Sequence, residues 1–200
     1  MDPATLEAYD RAPDRYGDEW HGQPAPLDLQ QLVQRWFGPG RCADVGCGAG
    51  RDTAWLASQG YEVVGFDVSR GLLEYARRRY PDLSFVEAGL PHLAGIPDAS
   101  FDNVVCETVI MHLPIDEVAD AVARLVSLLA PSGTLFLSWR VTSEQDQRDG
   151  DGRLYSAFEP TLVHDALIGT EILEESESTS ASSGRTVHRL IARRHGLAAP

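Results

Sequence analysis

The sequence contains no lysine, since all 17 of its basic residues are arginine. A Schiff-base lysine, a lysine general base and the phosphate-binding lysine of a P-loop are therefore excluded. The basic residues are also outnumbered by 30 acidic ones, which gives a net charge of −13 and an isoelectric point near 4.7. Because this charge would repel phosphate backbones and anionic lipid surfaces, we expect neither nucleic acid nor membrane as a partner.

Cysteine and long apolar runs are scarce as well. The three cysteines form no C-x-x-C pair, and their odd number indicates reduced thiols rather than a disulfide framework. No run approaches the roughly 18 apolar residues that span a membrane, and no positive flank precedes an apolar stretch at the start. The histidines and cysteines lack metal-ligand spacing. We expect a soluble cytoplasmic protein without a metal site.

Strand-like and helix-like segments alternate along the 200 residues, which suit one compact domain. Such alternation indicates an α/β fold with βαβ crossovers and a mostly parallel sheet covered on both faces. The predicted strands are 42–45, 62–67, 83–86, 101–106 and 135–137. Helices are predicted near 54–57, after Ser69, and over 115–129, where Pro131 and Gly133 end the helix.

Both ends of the chain depart from this alternation. Residues 1–36 predict one or two helices, which we interpret as an N-terminal helical cover on a domain of residues 37–200. Near the other end, 171–173 and 187–191 predict two more strands. The serine-rich stretch 176–184 between them has nothing to bury and predicts a flexible hairpin loop. The tail from His195 is expected to be loose.

A glycine-rich turn follows the first predicted strand, at Gly46, Gly48 and Gly50. Glycines allow a tight turn and a close approach of ligand to backbone, and the next helix offers free N–H groups. Asp67 ends the second strand at the spacing expected of an acid that binds a ribose diol. The glycine spacing is not the G-x-G-x-x-G of dinucleotide sites, and a tyrosine–lysine pair is impossible. A nicotinamide-dependent oxidoreductase is therefore disfavoured.

Five motifs occur in order between residues 41 and 140: Asp44–Asp52, Val63–Asp67, Phe101–Val105, Met111–Leu113 and Leu128–Leu135. Together they resemble the class I S-adenosylmethionine-dependent methyltransferases, in particular a small-molecule type with G-x-G-x-G-R-D. The resemblance implies a Rossmann-like, doubly wound sheet of seven strands that ends in an antiparallel hairpin. It also implies S-adenosylmethionine as the cofactor and S-adenosylhomocysteine as the product.

The resemblance further implies which residues contact the cofactor. Asp67 would bind the ribose hydroxyls, Val68 would lie beside the adenine, and Asp44 would brace the turn. The methionine portion would face the three glycines, Gly46, Gly48 and Gly50.

Two implied contacts have structural alternatives. Arg51 would pair with the cofactor's carboxylate, or else be an exposed arginine at a helix start. Tyr16, with Tyr9 and Trp20, resembles the N-terminal cover that closes such sites, or else packs as an ordinary aromatic residue.

The adenine contact departs from the pattern of the family. Relatives commonly place an acid after the third strand that holds the adenine amino group. Here either Glu87 takes that role from an offset position, or backbone groups around Gly89 and Leu90 do.

Methyl transfer is an in-line displacement in which alignment contributes much of the catalysis, so a base is needed only if the acceptor must lose a proton. His112 and Glu107, after the fourth strand, are the candidate catalytic residues. The alternatives are a structural histidine bonded to the backbone and a solvated or helix-capping acid.

The acceptor is expected to lie near the end of the fifth strand. Arg140 and Arg153 could hold a carboxylate or phosphate, with Trp139 and Tyr155 forming an apolar wall. Otherwise this is a solvated loop anchored by its aromatic residues.

We therefore predict a methyltransferase that acts on a small, possibly anionic metabolite, as a monomer or homodimer. The alternative is an S-adenosylmethionine-binding protein that methylates no external acceptor. Such a protein would be a sensor or partner module, or would perform intramolecular chemistry on the cofactor.

Overall fold

The computed structural model describes residues 1–142 and 145–196. The strands in chain order are β1 (Arg41–Val45), β2 (Glu62–Asp67), β3 (Ser84–Glu87), β4 (Phe101–Cys106), β5 (Leu129–Arg140), β6 (Gln147–Arg148), β7 (Leu154–Tyr155), β8 (Thr170–Thr179) and β9 (Thr186–Arg194). The helices are α1 (Pro3–Arg11), α2 (Pro13–Gly22), α3 (Leu27–Trp36), α4 (Arg51–Ser58), α5 (Arg70–Arg79), α6 (Ile115–Leu128) and α7 (Pro160–Ala166). A short 3₁₀ helix, Ile110–His112, precedes α6.

Seven strands form one sheet in the order β3-β2-β1-β4-β5-β9-β8. The first five strands pair in parallel, and β9 runs antiparallel between β5 and β8. The predicted α/β, Rossmann-like fold with a C-terminal antiparallel hairpin is thereby confirmed. Strands β6 and β7 form a separate two-stranded ribbon.

The strand order reverses at β1. The chain proceeds from β1 outward to β2 and β3, and then returns to β4 on the other side of β1. The carboxyl ends of β2, β1 and β4 therefore meet at one edge of the sheet, where this topology places its ligand crevice.

Successive residues of the central strands enter two apolar layers. Ala43 and Val104 belong to the layer that contains α6, whereas Cys42 and Val105 belong to the layer that contains α3 and α4. Because neighbouring strand residues point to opposite faces, a continuous apolar run is buried on both sides. This burial fixes the sheet, and with it the edge that carries the site.

Two helix boundaries bear on the predictions. The Ser69 hydroxyl accepts a hydrogen bond from the N–H of Leu72 at 3.2 Å and caps α5, as expected. Helix α6 ends at Leu128, and β5 begins much earlier than the predicted 135–137. Leu129 pairs with Phe101, and the register shifts after this pair. Pro131 and Gly133 therefore lie in the irregular first part of β5 and not at the end of the helix.

Residues 1–36 form three helices, not one or two. Helices α1 and α2 pack on α5 and lie over the carboxyl edge of the sheet. Helix α3 instead packs on the sheet, where Leu29 and Val33 are fully buried with Val105 and Phe136. The cover is therefore formed by α1 and α2 alone, because the apolar stripe of α3 is buried against the sheet.

The loop predicted over 176–184 is shorter than expected. Strand β8 continues through Thr179, and Ser176 pairs with Arg189 of β9, so the loop spans only residues 180–185. Most side chains of β8 are exposed, so its polar composition conceals a strand that is held by backbone pairing. Most of the tail from His195 lies outside the described residues.

Candidate active site

A cavity of about 600 Å³ opens at the carboxyl edge of the sheet, where β1, β2 and β4 end. Helices α1 and α2 cover it on one side. The β6–β7 ribbon and the loop of residues 180–185 contribute further walls. Its volume is in the range of small-molecule and cofactor sites.

The glycine turn begins where β1 ends. The N–H groups of Gly46 and Cys47 both donate to the carbonyl oxygen of Phe66, at 2.7 and 3.0 Å, which ties the turn to β2. Gly46 lines the cavity with φ of +77°. A Cβ at this position would lie 2.2 Å from Cγ2 of Val109. Glycine is therefore required by both the backbone conformation and the close packing.

Two of the predicted cofactor residues lie behind the turn and do not line the cavity. A Cβ on Gly50 would lie 2.8 Å from the Phe85 ring, so glycine allows close packing against β3 here. Asp44 is buried, and its Oδ2 accepts a hydrogen bond of 2.6 Å from the Thr53 hydroxyl. Burial raises the pKa of Asp44 to about 7. Asp44 links the turn to α4, which agrees with its expected bracing role.

Asp67 lines the cavity at the end of β2. Its Oδ2 accepts from the N–H of Gly48 and its Oδ1 from the N–H of Ser69, both at 2.8 Å. Burial raises the pKa of this carboxyl group, and the two backbone donors act in the opposite sense. Each oxygen can accept a further hydrogen bond, so the carboxylate fits a ribose diol.

Val68 and the segment 88–90 line the cavity next to the end of β2. A Cβ on Gly89 would lie 2.8 Å from Cβ of Val68, so the backbone of this segment packs directly on the valine. Glu87 does not line the cavity. It lies on the edge strand β3 with 47% of its side chain exposed, and it pairs with Nε of Arg70 at 2.9 Å. This position does not favour the Glu87 alternative, and the contact of the adenine with backbone groups of this segment stays a prediction.

Arg51 begins α4 at the glycine-turn end of the cavity. Its Nε donates to Oδ1 of Asp52 at 3.0 Å, and its Nη1 donates to the carbonyl oxygen of Trp20 at 3.2 Å. Only 24% of the Arg51 side chain is exposed. The ring of Trp20 lies against Gly48, where a Cβ would be 2.8 Å from Cζ3. Arg51 thus joins the turn to α2 and is not a solvated arginine at a helix start.

Glu107 follows β4 and lines the cavity. Its Oε2 accepts a hydrogen bond from the hydroxyl of Ser138, near the end of β5. Among the described residues, its Oε1 has no hydrogen-bond partner. Burial raises the pKa of Glu107 to about 7. The side chain is thus neither a solvated acid nor a helix cap.

His112 lines the cavity, and both of its ring nitrogens are engaged. Nδ1 lies 2.6 Å from the carbonyl oxygen of Leu154, and Nε2 lies 3.1 Å from the hydroxyl oxygen of Tyr9. Because a carbonyl oxygen only accepts, Nδ1 carries the proton and Nε2 accepts from Tyr9. Burial lowers the pKa of His112 to about 4, so the ring is neutral. This backbone bond fits the structural alternative, and a role as base stays a prediction.

Arg140, Arg153 and Tyr155 line the same cavity. The guanidinium carbon of Arg140 lies 4.6 Å from the ring centroid of Tyr155. Arg153 is held differently, since its Nη2 lies 2.7 Å from Oδ2 of Asp149. The charge of Arg153 is therefore already balanced within the protein.

Two predicted aromatic contacts lie outside the cavity. Trp139 is 2% exposed and stacks on His188, with ring centroids 4.3 Å apart. Neighbouring strand residues point to opposite faces of the sheet, so the Trp139 side chain points away from the cavity that the Arg140 side chain faces. Tyr16 is buried, and its hydroxyl donates to Oδ2 of Asp151 at 2.7 Å. Tyr16 therefore anchors the cover to the β6–β7 ribbon.

Sequence reasoning missed two walls of the cavity. Arg148 of the ribbon donates to both carboxylate oxygens of Asp2, at 2.9 and 2.8 Å, and so fastens α1 over the site. Arg185 and the serines of the 180–185 loop form another wall. No local pattern joins residues so far apart in the chain. The Asp2-x-x-Thr5 spacing signals only the N-cap of α1, which the structure contains.

Among residues 1–142 and 145–196, no group of three or more His, Cys, Asp or Glu side chains could hold a metal ion. None of the helices in these ranges has the length and apolar character that a membrane crossing requires.

Comparison with known families identifies the central part of the chain. Residues 43–137, from β1 into β5, match the family model described as a methyltransferase domain. A ubiquinone biosynthesis O-methyltransferase of Methylococcus capsulatus is 34% identical over 118 residues, covering 56% of this chain and 49% of the relative. A trans-aconitate 2-methyltransferase of Rhodopseudomonas palustris is 38% identical over 101 residues, covering 48% and 37%. The chain thus spans half or less of these curated relatives.

A solved structure agrees over nearly the whole chain. The 1,6-didemethyltoxoflavin-N1-methyltransferase of Burkholderia thailandensis, with bound 1,6-didemethyltoxoflavin and S-adenosylhomocysteine, superposes with a TM-score of 0.76 at 22% identity. The match covers 96% of this chain and 88% of that one, and at this identity it establishes the fold. Residues 43–137 thus match a methyltransferase domain in sequence, and the chain shares the fold of the Burkholderia methyltransferase.

Proposed function

We propose that the chain transfers a methyl group from S-adenosylmethionine to a small anionic metabolite and releases S-adenosylhomocysteine. The observation that carries the proposal is that Arg140, over the ring of Tyr155, lines the same cavity as the glycine turn and Asp67. A cofactor end and a cationic, aromatic end thus share one covered space. Direct transfer requires such proximity between donor and acceptor.

The residues at the cofactor end fit S-adenosylmethionine. A side chain at position 46 would collide with Val109, so Gly46 keeps the cavity wall open to a ligand. Asp67 keeps acceptor capacity for the ribose hydroxyls, and Arg51, which also pairs with Asp52, lines the cavity where the cofactor's carboxylate would bind. When bound, S-adenosylmethionine supplies a sulfonium methyl group as the electrophile.

The residues at the acceptor end favour a nucleophile that is already ionised. Arg140 would hold the anionic group, and the Tyr155 ring would form the wall beside it. His112 has both nitrogens engaged and so positions Tyr9 more readily than it abstracts a proton. A carboxylate oxygen needs no base at neutral pH. The name of the Rhodopseudomonas relative, a trans-aconitate methyltransferase, supports the same chemistry.

The proposal extends to partner and compartment. A net charge of −13 supports a small molecule, and not nucleic acid or a membrane, as the partner. The three cysteines are free and buried, which supports a reducing compartment such as the cytoplasm. The proposed assembly is a monomer or a homodimer.

Calorimetric titration and an acceptor screen test the function. We expect S-adenosylmethionine and S-adenosylhomocysteine to bind in the micromolar range and NADH not to bind. Release of S-adenosylhomocysteine is then followed with a panel of small mono-, di- and tricarboxylates and their neutral amides. Turnover with carboxylates only supports the proposal. Consumption of cofactor without any acceptor would favour the intramolecular alternative, and failure of both sulfur compounds to bind would contradict the proposal altogether.

A further inference from the structure

Five arginine side chains line the cavity, and they differ in how their charge is balanced. Three of them pair with a carboxylate of the protein, at N–O distances of 3.0, 2.8 and 2.7 Å: Arg51 with Asp52, Arg148 with Asp2, and Arg153 with Asp149. The other two are Arg140 and Arg185. Among the described residues, no carboxylate oxygen lies within 4.0 Å of a side-chain nitrogen of either one. Two positive charges of the cavity are therefore left for a ligand.

Arg140 and Arg185 are neighbours across the paired strands β5 and β9. Arg140, the last residue of β5, lies opposite Val187 of β9. The pairing continues one step further, because the N–H of Val141 donates to the carbonyl oxygen of Thr186 at 3.0 Å. Arg185 precedes Val187 by two residues, so it lies on the same face of the ladder, diagonal to Arg140. Diagonal neighbours are about 7 to 8 Å apart, within reach of long side chains.

Two guanidinium groups carried by such neighbouring positions repel each other, because like charges on adjacent strands destabilise the sheet. A ligand with a single negative charge balances only one of them. A ligand with two anionic groups balances both, and the planar fork of each guanidinium matches the two oxygens of one carboxylate. The charge and spacing of Arg140 and Arg185 therefore favour a dianion over a monoanion.

The loop before β9 adds a neutral donor beside Arg185. Ser183 lines the cavity, and its Oγ accepts a hydrogen bond of 3.4 Å from the N–H of Arg185. Among the described residues, the hydroxyl hydrogen of Ser183 has no acceptor. A carboxylate at Arg185 can therefore receive this hydroxyl as well as the guanidinium group.

We propose that the acceptor is a small dicarboxylate, with one carboxylate bound by Arg140 and the other by Arg185. This inference rests on the proposed function and deepens it, since it narrows the acceptor from a small anion to a dianion. Arg185 becomes a second residue that determines specificity. A ligand held at both ends has its orientation in the cavity fixed by two points, which is the kind of alignment that direct transfer requires.

Titration calorimetry with simple diacids tests the proposal on the wild-type protein, independently of turnover. Succinate, glutarate and adipate differ in the distance between their carboxylates, and each is compared with its monoamide, which keeps the length but only one charge. We expect at least one diacid to bind about 10-fold or more tightly than its monoamide, because the monoamide lacks one charge-assisted contact. The proposal is overturned if no diacid binds at millimolar concentration, or if none exceeds its monoamide by more than about twofold.

Two substitutions assign the two charges. Arg140→Gln and Arg185→Gln should each weaken the preferred diacid about 10-fold or more and bring diacid and monoamide within about twofold of each other. Neither should change the affinity for S-adenosylhomocysteine, and the control Arg79→Gln, at the exposed end of α5, should keep every wild-type value. A full preference for the diacid in Arg185→Gln would overturn the proposal. Equal weakening of diacid, monoamide and S-adenosylhomocysteine would overturn it in favour of a structural role.

Running the titrations without cofactor and again with saturating S-adenosylhomocysteine separates this proposal from the proposed function. If a diacid is preferred over its monoamide but S-adenosylhomocysteine does not bind, the proposed function fails while the dicarboxylate site stands. If S-adenosylhomocysteine binds and the acceptor screen finds turnover with monocarboxylates only, the proposed function stands and the dicarboxylate assignment fails.

Discussion

The hydroxyl of Tyr9 donates a hydrogen bond of 3.1 Å to Nε2 of His112, while Nδ1 of the same ring donates to the carbonyl oxygen of Leu154 at 2.6 Å. One neutral imidazole therefore joins α1 of the cover, the 3₁₀ helix after β4 and strand β7. Tyr9 and His112 both line the cavity, so the fastening of the cover forms part of the wall of the site.

Tyr9→Phe tests this connection. The substitution keeps the ring but leaves the buried Nε2 without its donor, so we expect the free energy of unfolding to fall by about 1 to 3 kcal/mol. Urea denaturation measures the loss. Tyr61→Phe is the control, because the Tyr61 ring packs partly buried while its hydroxyl makes no hydrogen bond within the described residues. Equal losses in the two variants would show that the Tyr9 hydroxyl contributes nothing specific.

His112 should make the protein sensitive to acid. Burial lowers its pKa from 6.5 to about 4, so the folded state prefers the neutral ring more than the unfolded chain does. Its contribution is complete above pH 6.5 and is lost as pH falls towards 4, by about 3 kcal/mol in all. In His112→Gln this part of the pH dependence should disappear. Parallel stability curves for variant and wild type between pH 7 and 4 would contradict the assignment.

Asp67→Ala should weaken S-adenosylhomocysteine about 10- to 100-fold. The carboxylate is oriented by the N–H groups of Gly48 and Ser69, and its removal deletes charge-assisted hydrogen bonds to the ribose. Asp82→Ala, at an exposed position before β3, is the control. Titration calorimetry gives both affinities, and an unchanged value for Asp67→Ala would mean that the ribose is held elsewhere.

Cofactor affinity should also depend on pH through Glu107. Burial raises its pKa to about 7, while the hydrogen bond from Ser138 acts in the opposite sense. The cofactor's ammonium group, when bound in the same cavity, favours the ionised form of this carboxylate, so the affinity for S-adenosylhomocysteine should rise as pH increases from 6 to 8, by up to about tenfold. Calorimetry at several pH values measures this rise. In Glu107→Gln the affinity should be flat over this range, and a rise as steep as in wild type would assign the proton to another group.

The layered fold could be predicted from the sequence because buried strands and helices show a regular pattern of apolar residues. Apolar runs such as 101–106 and the helical spacing over 115–129 are dictated by local packing, and they were placed within a few residues. Strand β8 was recognised only at 171–173, since exposed polar side chains on backbone-paired residues carry no apolar signal. Helix α3 showed its stripe, but not that the stripe packs on the sheet and leaves the cover to α1 and α2.

The site was predictable where function is carried by residues close in sequence. The glycine turn and Asp67 lie within one βαβ unit, so spacing alone brings them together. Trp139 lies one strand residue from Arg140, which faces the cavity, and Glu87 pairs with Arg70 on the edge strand β3. The sequence shows neither how a strand end is rotated nor which partner a surface acid takes. The Asp2–Arg148 pair joins segments 146 residues apart and depends on tertiary packing alone.

Arg140 should determine the selectivity for the acceptor. Arg140 lies over the Tyr155 ring, whereas Arg153 is paired with Asp149, so Arg140→Gln should remove the main contact with the anionic group. With a carboxylate acceptor found in the screen, KM should rise about 10-fold or more, while the affinity for S-adenosylhomocysteine stays unchanged. Arg79→Gln, at the exposed end of α5, should alter neither value.

The neutral amide of the acceptor provides the decisive comparison, because it lacks the charge that Arg140 meets. Wild type should discriminate against the amide, and Arg140→Gln should bind the two compounds about equally. If the variant keeps the discrimination of wild type, another cationic group of the cavity, such as Arg185, recognises the acceptor instead.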